Sequence, residues 1–380
     1  MTVQETTLVP GLAGIPAAES AVSYIDGQVG ILEYRGHRIE TLAEHSNFEE
    51  TCWLLLYGSL PSKSELDGFR ARLREHRDLP ERLINVIRAL PGVGHPMDAL
   101  QASLAALGMF HRKEDYSSRE ECDEAIVRII AAVPVMIANF ENFRAGRDYV
   151  QPDPKLDTAA NFLWMINGTV ADELITRVLD VALILHADHT MNASTFAARV
   201  VASTEADPFT VCSSAVGALT GPLHGGANER VLDQLKAIGA AENVPAWLDA
   251  TLAAKSKIMG FGHRVYTTKD PRATILQDLA RDLFETHGMT PAYETALALE
   301  AEVLQRLGSK GIYPNVDYFS GMVYAKLGIP TDLFTPVFAM SRVAGYLAHW
   351  REQMTDNRIF RPTQVFVGSH DAAYTPLKLR

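Results

Sequence analysis

The chain has 380 residues, 47% of them hydrophobic and 21% charged, and carries a formal net charge of −11 at pH 7. This composition is typical of a globular protein that is too long for one comfortable core, so two domains are expected. The acidic balance argues against nucleic acid or an acidic membrane as a partner, and an anionic substrate would have to be attracted by local arginines.

The N-terminal stretch MTVQETTLVPGLAGIP lacks the basic start and the apolar segment of a signal peptide. Apolar runs such as VALIL at 181–185 are shorter than a membrane span. The three cysteines, Cys52, Cys122 and Cys212, are widely spaced, which predicts free thiols in a reducing compartment rather than a disulfide framework or a zinc site. We therefore expect a cytoplasmic protein with no membrane partner.

Helical periodicity dominates the rest of the chain. After a small hairpin in GQVGILEYRGHRI, residues 27–39, the segment NFEETCWLLLYGSLPSKSELDGFRARL predicts two helices around a Gly-Ser break, with Ser62 or Ser64 as a cap. ADELITRVLDVALILHADHT and SRVAGYLAHWREQ repeat apolar residues at three- and four-residue steps. The prediction is an all-α protein with a small N-terminal hairpin.

The domain limits are predicted from glycine and proline, which concentrate at 217–226, 260–271 and 308–330. The segment 221–325 is therefore predicted to form a smaller inserted helical domain. Residues 1–220 and 326–380 would form the large helical domain, which the C-terminal helix closes.

Sequence motifs for several common kinds of site are missing. The chain has no phosphate-binding P-loop and no serine-hydrolase elbow, and the G-F-G at 260–262 lacks the third glycine of a dinucleotide fingerprint. His186 and His189 are three apart and would share a helix face, but no further metal-ligand motif accompanies them. We expect no metal; His186 is assigned to a backbone carbonyl at the helix end and His189 to a substrate.

Two histidines stand among glycines, His224 in GPLHGGANERV and His263 in GFGHR. Glycine leaves an imidazole unobstructed and lets a ligand approach the backbone closely. The amides at the start of the helix that follows His224 could also receive an anion or oxyanion. Ordinary loop punctuation explains one such histidine equally well, but the repetition of the pattern favours a site.

Asp317 in YPNVDYFSG is either a general base or a helix N-cap. A set of histidines, one carboxylate and several arginines, with no nucleophile in view, suits carbon-acid chemistry. The carboxylate would remove a proton next to a carbonyl, and one histidine would donate a hydrogen bond to the enolate oxygen. A second histidine would polarise the electrophilic carbonyl, and arginines would bind carboxylates in bidentate fashion.

The chain resembles the citrate synthase family in GPLHGGANE, GFGHRVYTTKDPRA, YPNVDYFSG and FAMSRVAGYLAHW, in the same order and at similar spacing, and in IDGQVGILEYRGHRIETLAEHSNFEETCWLLLYGSLP near its start. The resemblance covers most of the chain and is to the short, dimeric type. It implies an α-helical homodimer with a large and a small domain in each subunit. The cleft between the domains would close over oxaloacetate and then complete the acetyl-CoA site.

The resemblance also implies roles for individual residues. Asp317 would take a methyl proton from acetyl-CoA, His224 would stabilise the enol, and His263 would activate the oxaloacetate carbonyl. Oxaloacetate would be held by His189, Arg272, Arg342 and, from the partner subunit, Arg361. CoA would lie along Ile258, Met259, Gly260, Gly262 and Val265, with Lys310 either on a phosphate or merely at the surface. The CoA thioester is a substrate, so no cofactor is expected.

Three alternatives stay open at this point. A 2-methylcitrate synthase would use propionyl-CoA with the same groups, and one extra methylene changes binding by only about 1–3 kcal/mol. A metal-dependent hydrolase could be built on His186, His189 and His224. A catalytically inactive helical scaffold is the third, although the retained histidines and aspartate argue against it.

Overall fold

The computed structural model describes residues 8–111, 116 and 118–380. Over these residues the chain forms sixteen α-helices and one small sheet, which confirms the all-α prediction. The first ten helices are α1 (Ile39–His45), α2 (Phe48–Tyr57), α3 (Lys63–Glu75), α4 (Glu81–Ala89), α5 (Pro96–His111), α6 (Arg119–Arg144), α7 (Thr158–Asn167), α8 (Glu173–His186), α9 (Ala193–Ala202) and α10 (Pro208–Leu219). The others are α11 (Ala227–Ile238), α12 (Val244–Ala253), α13 (Pro271–His287), α14 (Pro291–Leu307), α15 (Val316–Lys326) and α16 (Phe334–Thr355).

The N-terminal sheet is antiparallel and has three strands, β1 (Ser23–Asp26), β2 (Ile31–Tyr34) and β3 (His37–Arg38). The predicted hairpin over 27–39 contains only β2 and β3, because β1 lies before it. Tyr34 is fully buried, and its hydroxyl donates hydrogen bonds to the carbonyls of Ile184 at 3.1 Å and Asp188 at 2.9 Å. The sheet is thereby attached to the end of α8.

The helix break predicted between α2 and α3 is confirmed, and its cap is Ser62. The Ser62 hydroxyl accepts a hydrogen bond from the backbone N–H of Glu65, whose carboxylate in turn accepts one from the N–H of Ser62. This reciprocal arrangement satisfies two amide groups that the first turn of a helix leaves unpaired. Ser64 lies inside the helix.

Helix α6 contains an apolar stretch that the sequence analysis overlooked. It spans 26 residues with a mean hydropathy of 1.5 over its most apolar window, so it is long enough to cross a bilayer. In the fold 89% of that window is buried, and α6 packs against α5, α7 and α16. A core helix and a membrane helix share these sequence properties, and here the surrounding helices account for them.

Helix α16 lies at the centre of the core and contacts α2, α6, α8, α9 and α10. A Cβ atom at Gly345 would lie 2.4 Å from the carbonyl oxygen of Ala187 and 2.5 Å from Asp188 Oδ1. Because glycine has no Cβ, α16 can approach the turn after α8 this closely.

Helices α11, α13 and α14 pack with α15 or with each other, while α13 also contacts α8. The boundaries at 221 and 325 stay a prediction.

Candidate active site

The turn after α8 carries the first predicted site residues. His186 is the last residue of α8, fully buried, and its Nδ1 lies 2.7 Å from the carbonyl oxygen of Ala182, which confirms the predicted backbone bond. The expectation that His186 and His189 share a helix face is wrong, because the helix ends at His186 and His189 lies in the following turn. The i, i+3 spacing therefore does not place the two imidazoles side by side on a helix.

His189 is buried beside two aromatic residues of another loop. Its Nε2 is 3.3 Å from the hydroxyl of Tyr266, and its ring centroid is 5.4 Å from that of His263. Burial, together with the positive charges of Arg272 and Arg342, holds the pKa of His189 well below its ordinary value. The imidazole is therefore uncharged at neutral pH, so it can interact with a ligand through hydrogen bonds but not as a cation.

His263 presents one ring nitrogen to its own loop. Its Nδ1 accepts hydrogen bonds from the backbone N–H groups of Val265 at 2.9 Å and Tyr266 at 3.2 Å. Burial lowers its pKa to about 4, with a further contribution from Arg272. Because Nδ1 is an acceptor in a neutral ring, the proton lies on Nε2, which is left to donate to a ligand.

His224 lies in the tight turn that leads into α11, as the glycine pattern predicted. Its Nε2 lies 2.7 Å from the hydroxyl of Ser194 and 3.3 Å from the Ser194 backbone N–H, which donates to it. Tyr346 of α16 donates a hydrogen bond to the same hydroxyl at 2.7 Å. Burial lowers the pKa of His224 to about 4, with Arg342 adding to the effect, so the ring is neutral. Because Nε2 accepts the backbone N–H of Ser194, the ring proton lies on Nδ1.

Asp317 lies in the first turn of α15 but does not cap it. The cap is Asn315, whose Oδ1 accepts the backbone N–H of Asp317 at 3.0 Å. Burial raises the pKa of Asp317 to about 6, although Arg272 and Arg342 act in the opposite direction. The carboxylate is thus a stronger base than an ordinary aspartate and is still ionised at neutral pH.

Each of these groups is affected by at least one of two buried arginines, Arg272 and Arg342. Arg342 is 1% exposed; its Nε donates to the carbonyl of His186 at 2.6 Å, and its guanidinium lies 4.5 Å from the centre of the Phe338 ring. Arg272 is 2% exposed and forms a two-pronged ion pair with Asp270, at 2.7 and 3.1 Å. Both charges lower the pKa of His189 and of Asp317, so the two arginines lie among the candidate catalytic groups.

Most of the remaining predicted residues are more exposed. Ile258, Met259 and Gly262 are half-buried, Gly260 is buried, and Val265 and Lys310 are exposed. Arg361 is exposed in the extended segment that follows α16. Within the described part of the chain, no hydrogen bond or ion pair joins Arg361 to another predicted site residue. The roles of all these residues stay predictions.

Several supporting residues escaped the sequence analysis. Asn315 caps α15 and also donates from Nδ2 to the carbonyl of Gly262 at 2.9 Å, so it joins the loop of Asp317 to the loop of His263. Ser194 and Tyr346 orient His224, and Asp270 orients Arg272. The Asp-Pro pair at 270–271 is a typical helix start that could have identified Asp270. Nothing in the local sequence connects Tyr346 to His224.

Residues 8–111, 116 and 118–380 contain no group of three or more His, Cys, Asp and Glu side chains arranged to hold a metal ion. Of the histidines in the hydrolase hypothesis, His186 is already bonded to Ala182 and His224 to Ser194.

An all-α fold that gathers a carboxylate of raised pKa, two neutral imidazoles and two buried arginines is suited to an enzyme that generates and traps a nucleophilic carbon. Residues 11–363 match the family model described as citrate synthase, C-terminal domain. The chain belongs to the citrate synthase family, and it is accordingly an enzyme of the acyltransferase class.

Individual relatives are similar over nearly their full length. The chain is 53% identical to a citrate synthase of Synechocystis sp., over 97% of this chain and 93% of the relative. Among solved structures, citrate synthase from Pyrobaculum aerophilum is 40% identical with a TM-score of 0.92, and all of both chains is covered. The enzyme from Thermoplasma acidophilum, solved as a ternary complex with carboxymethyl coenzyme A and oxaloacetate, is 34% identical with a TM-score of 0.90, over 97% of this chain and 98% of that one.

Proposed function

We propose that this chain condenses acetyl-CoA with oxaloacetate and hydrolyses the resulting citryl-CoA to citrate and CoA. The observation that carries the proposal is the combination of Asp317, with its raised pKa, and the neutral rings of His224 and His263 around two buried arginines. The ternary complex of the Thermoplasma acidophilum enzyme, which holds oxaloacetate and a CoA derivative, supports the substrate pair.

The first step needs a base for a weakly acidic methyl group. Asp317 takes the proton, and its pKa of about 6 makes it more basic than an ordinary aspartate while keeping it ionised at neutral pH. The Asn315 cap holds the first turn of α15, and with it the carboxylate, in one orientation. Electrons from the C–H bond then move towards the thioester oxygen.

The enolate oxygen needs a hydrogen-bond donor at the same moment. His224 supplies Nδ1–H, because its Nε2 is already occupied by Ser194. A neutral imidazole donates without placing a full positive charge beside the substrate, and its low pKa keeps it neutral over the working pH range. Tyr346 holds Ser194 in place from the core helix α16.

Oxaloacetate lies between His189, His263 and the two arginines. His263 donates from Nε2 to the ketone oxygen and makes that carbon more electrophilic. Arg342 and Arg272 bind the carboxylates; each keeps free guanidinium hydrogens beyond those used by His186 and Asp270. The buried guanidiniums supply the positive charge that the acidic chain as a whole lacks.

The acyl-CoA side of the site is open. Leu223, which directly precedes His224, is 93% exposed. Val265, two residues after His263, is 45% exposed. Apolar side chains beside catalytic groups favour closure over the substrate, which would exclude water from the enolate. The half-buried segment 258–262 and Lys310 are where CoA is expected to bind.

A second copy of the chain completes the proposal. The segment after α16 exposes many apolar side chains that are each more than half accessible: Ile359, Val365, Phe366, Val367, Tyr374, Leu377 and Leu379. Soluble proteins rarely leave such a stretch uncovered. We propose a homodimer in which this segment lies on the partner and delivers Arg361 to the partner's oxaloacetate site. The buried free thiols of Cys52 and Cys212 further support a cytoplasmic location.

The deciding experiment measures release of free CoA thiol from acetyl-CoA and from propionyl-CoA, each with and without oxaloacetate. Rapid release from acetyl-CoA that depends on oxaloacetate is the expected result, with propionyl-CoA slower. Release that does not need oxaloacetate would identify a thioesterase and refute the proposal, and faster release from propionyl-CoA would reassign the acyl substrate.

A further inference from the structure

A buried carboxylate directly precedes His189 in the chain. Asp188 is 0% exposed, and its Oδ2 accepts hydrogen bonds from the Ser23 hydroxyl at 2.5 Å and from the backbone N–H of Thr190 at 3.2 Å. An ionised carboxylate is costly to bury unless such partners compensate it. Asp188 therefore fixes the residues on both sides of His189 and joins them to strand β1.

The backbone of this turn is unusual. Thr190 has φ +49°, in the left-handed region that β-branched residues rarely adopt. Such a conformation persists only where the surrounding contacts impose it. The N–H of Thr190 points to both Asp188 and Ser23. Because His189 lies between Asp188 and Thr190, the direction of its imidazole depends on these contacts.

Helix α16 reaches the same carboxylate from the other side. His349 is 1% exposed, and its Nε2 lies 3.3 Å from Asp188 Oδ1 and 3.4 Å from Oδ2. Its Nδ1 accepts from Arg199 Nε at 3.1 Å and Nη2 at 3.0 Å. Since arginine has no acceptor, Nδ1 is unprotonated, and the ring proton on Nε2 faces Asp188.

Arg199 anchors the far end of this chain of contacts. It is 2% exposed and also binds Gln353 at 3.1 Å and the carboxylate of Glu352. Buried charged groups of this kind contribute little net stability, because apolar residues of similar volume often do as well or better. Arg199, His349 and Asp188 contact one another in succession, and the last of them lies next to His189. This succession of contacts indicates a role in positioning the His189 turn.

We propose that Arg199, His349 and Asp188 form a positioning relay that holds the His189 imidazole in the direction needed to bind oxaloacetate. The inference rests on the proposed function, in which His189 contacts that substrate. The relay does not touch the reacting atoms, so it acts on oxaloacetate binding and leaves the acyl-CoA side unchanged.

The test replaces His349 by leucine and, separately, by glutamine. Leucine fills the space but neither accepts from Arg199 nor donates to Asp188, whereas glutamine can do both. We expect His349→Leu to raise the KM for oxaloacetate by about tenfold or more, with kcat and the KM for acetyl-CoA within about threefold, because misplacing a binding group weakens that one contact. His349→Gln should restore the KM to within about threefold of the parent value.

Gln353→Leu is the matched control, because it removes another buried partner of Arg199 without touching Asp188. It should lower the melting temperature while leaving the oxaloacetate KM unchanged. Calorimetric binding of oxaloacetate without acyl-CoA separates the two proposals: parent protein that binds oxaloacetate but releases no thiol would defeat the proposed reaction, not the relay. Unchanged oxaloacetate affinity in His349→Leu, or a loss that glutamine does not relieve, would overturn the relay.

If His349→Leu does not fold, Ser23→Ala reaches the same carboxylate from the partly buried strand β1. It should weaken oxaloacetate binding by about threefold, since one of several hydrogen bonds to Asp188 is lost. Binding equal to that of the parent protein would then count against the relay.

Discussion

The two sides of the candidate site are built differently. On the proposed oxaloacetate side, His189, Arg272 and Arg342 are all less than a tenth exposed. Arg272 is held by an ion pair with Asp270, and Arg342 by a hydrogen bond to the carbonyl of His186. On the proposed acyl-CoA side, Val265 and Lys310 are exposed, and Leu223 beside His224 is almost fully accessible. The proposed oxaloacetate side is thus buried and preformed, whereas the proposed acyl-CoA side is exposed to solvent.

This difference is consistent with an order of events. A preformed anion site can bind oxaloacetate without rearrangement, so little binding energy is lost in ordering the protein. If the acyl-CoA side closes only after oxaloacetate has bound, the thioester reaches Asp317 only once the first substrate is in place. Water then has less opportunity to reach the enolate, which is the species that must survive long enough to attack.

The largest expected effect comes from Asp317, on the acyl side. Asp317→Asn should lower kcat by about 10³-fold, because an amide cannot accept the methyl proton. Oxaloacetate affinity should change by less than about twofold, since the base does not bind that substrate. Steady-state rates and calorimetry measure the two quantities, and near-normal turnover in the variant would remove Asp317 from its role.

Arg361 tests whether the oxaloacetate side is complete within one chain. Arg361→Ala should raise the KM for oxaloacetate by about 10- to 100-fold, because a charge-assisted contact to a carboxylate is lost. Mixed dimers with Asp317→Asn sharpen the test. If Arg361 acts across the interface, each mixed dimer regains one site with both residues intact, and activity rises on mixing. No rise on mixing would place Arg361 in its own subunit's site or outside any site.

Acid should affect the two sides unequally. Asp317 must be ionised to act, and its pKa is raised to about 6, so its active fraction falls as the pH drops through 6. At pH 5 the rate should be about tenfold below its plateau, one power of ten per pH unit. The neutral forms of His224 and His263 persist down to a pH of about 4. A profile of kcat against pH that is flat from 8 to 5 contradicts this assignment.

The smallest effect is expected where the N-terminal sheet touches the His263 loop. Gly27 accepts a hydrogen bond from the N–H of Thr267 at 2.9 Å, and a Cβ atom there would lie 2.0 Å from the carbonyl oxygen of Val265. Gly27→Ala should therefore displace the loop and lower kcat/KM by about three- to tenfold.

Gly68→Ala provides the matched control for that substitution. Gly68 lies in α3, and beyond the backbone of its own helix and its chain neighbours no heavy atom lies within 4 Å of an added Cβ. Alanine should therefore stabilise the helix by about 0.5–1 kcal/mol and leave kinetics unchanged. Thermal unfolding and steady-state rates distinguish the two variants. Equal kinetics in both would show that the sheet does not position the loop.

Local sequence was sufficient for several helices and for naming candidate catalytic residues, whose roles stay predictions. Apolar periodicity predicted α8 and α16, the sequence offered Ser62 or Ser64 as the cap of α3, and glycines marked His224 and His263. Local sequence failed where the position of a helix end matters. The spacing of His186 and His189 indicated one helix face, but α8 ends at His186. The partners that set orientation were also missed, because Tyr346 and Ser194 are 152 positions apart. Such contacts are created by packing and leave no local pattern.

The histidines around the site share one property with a physiological consequence. Burial lowers the pKa of the rings of His186, His189, His224 and His263, so all four are uncharged at neutral pH. The attraction for a dicarboxylic acid therefore comes from guanidinium groups, which stay protonated throughout the physiological pH range. When the cytoplasm acidifies, we expect the affinity for oxaloacetate to be maintained while the turnover rate falls.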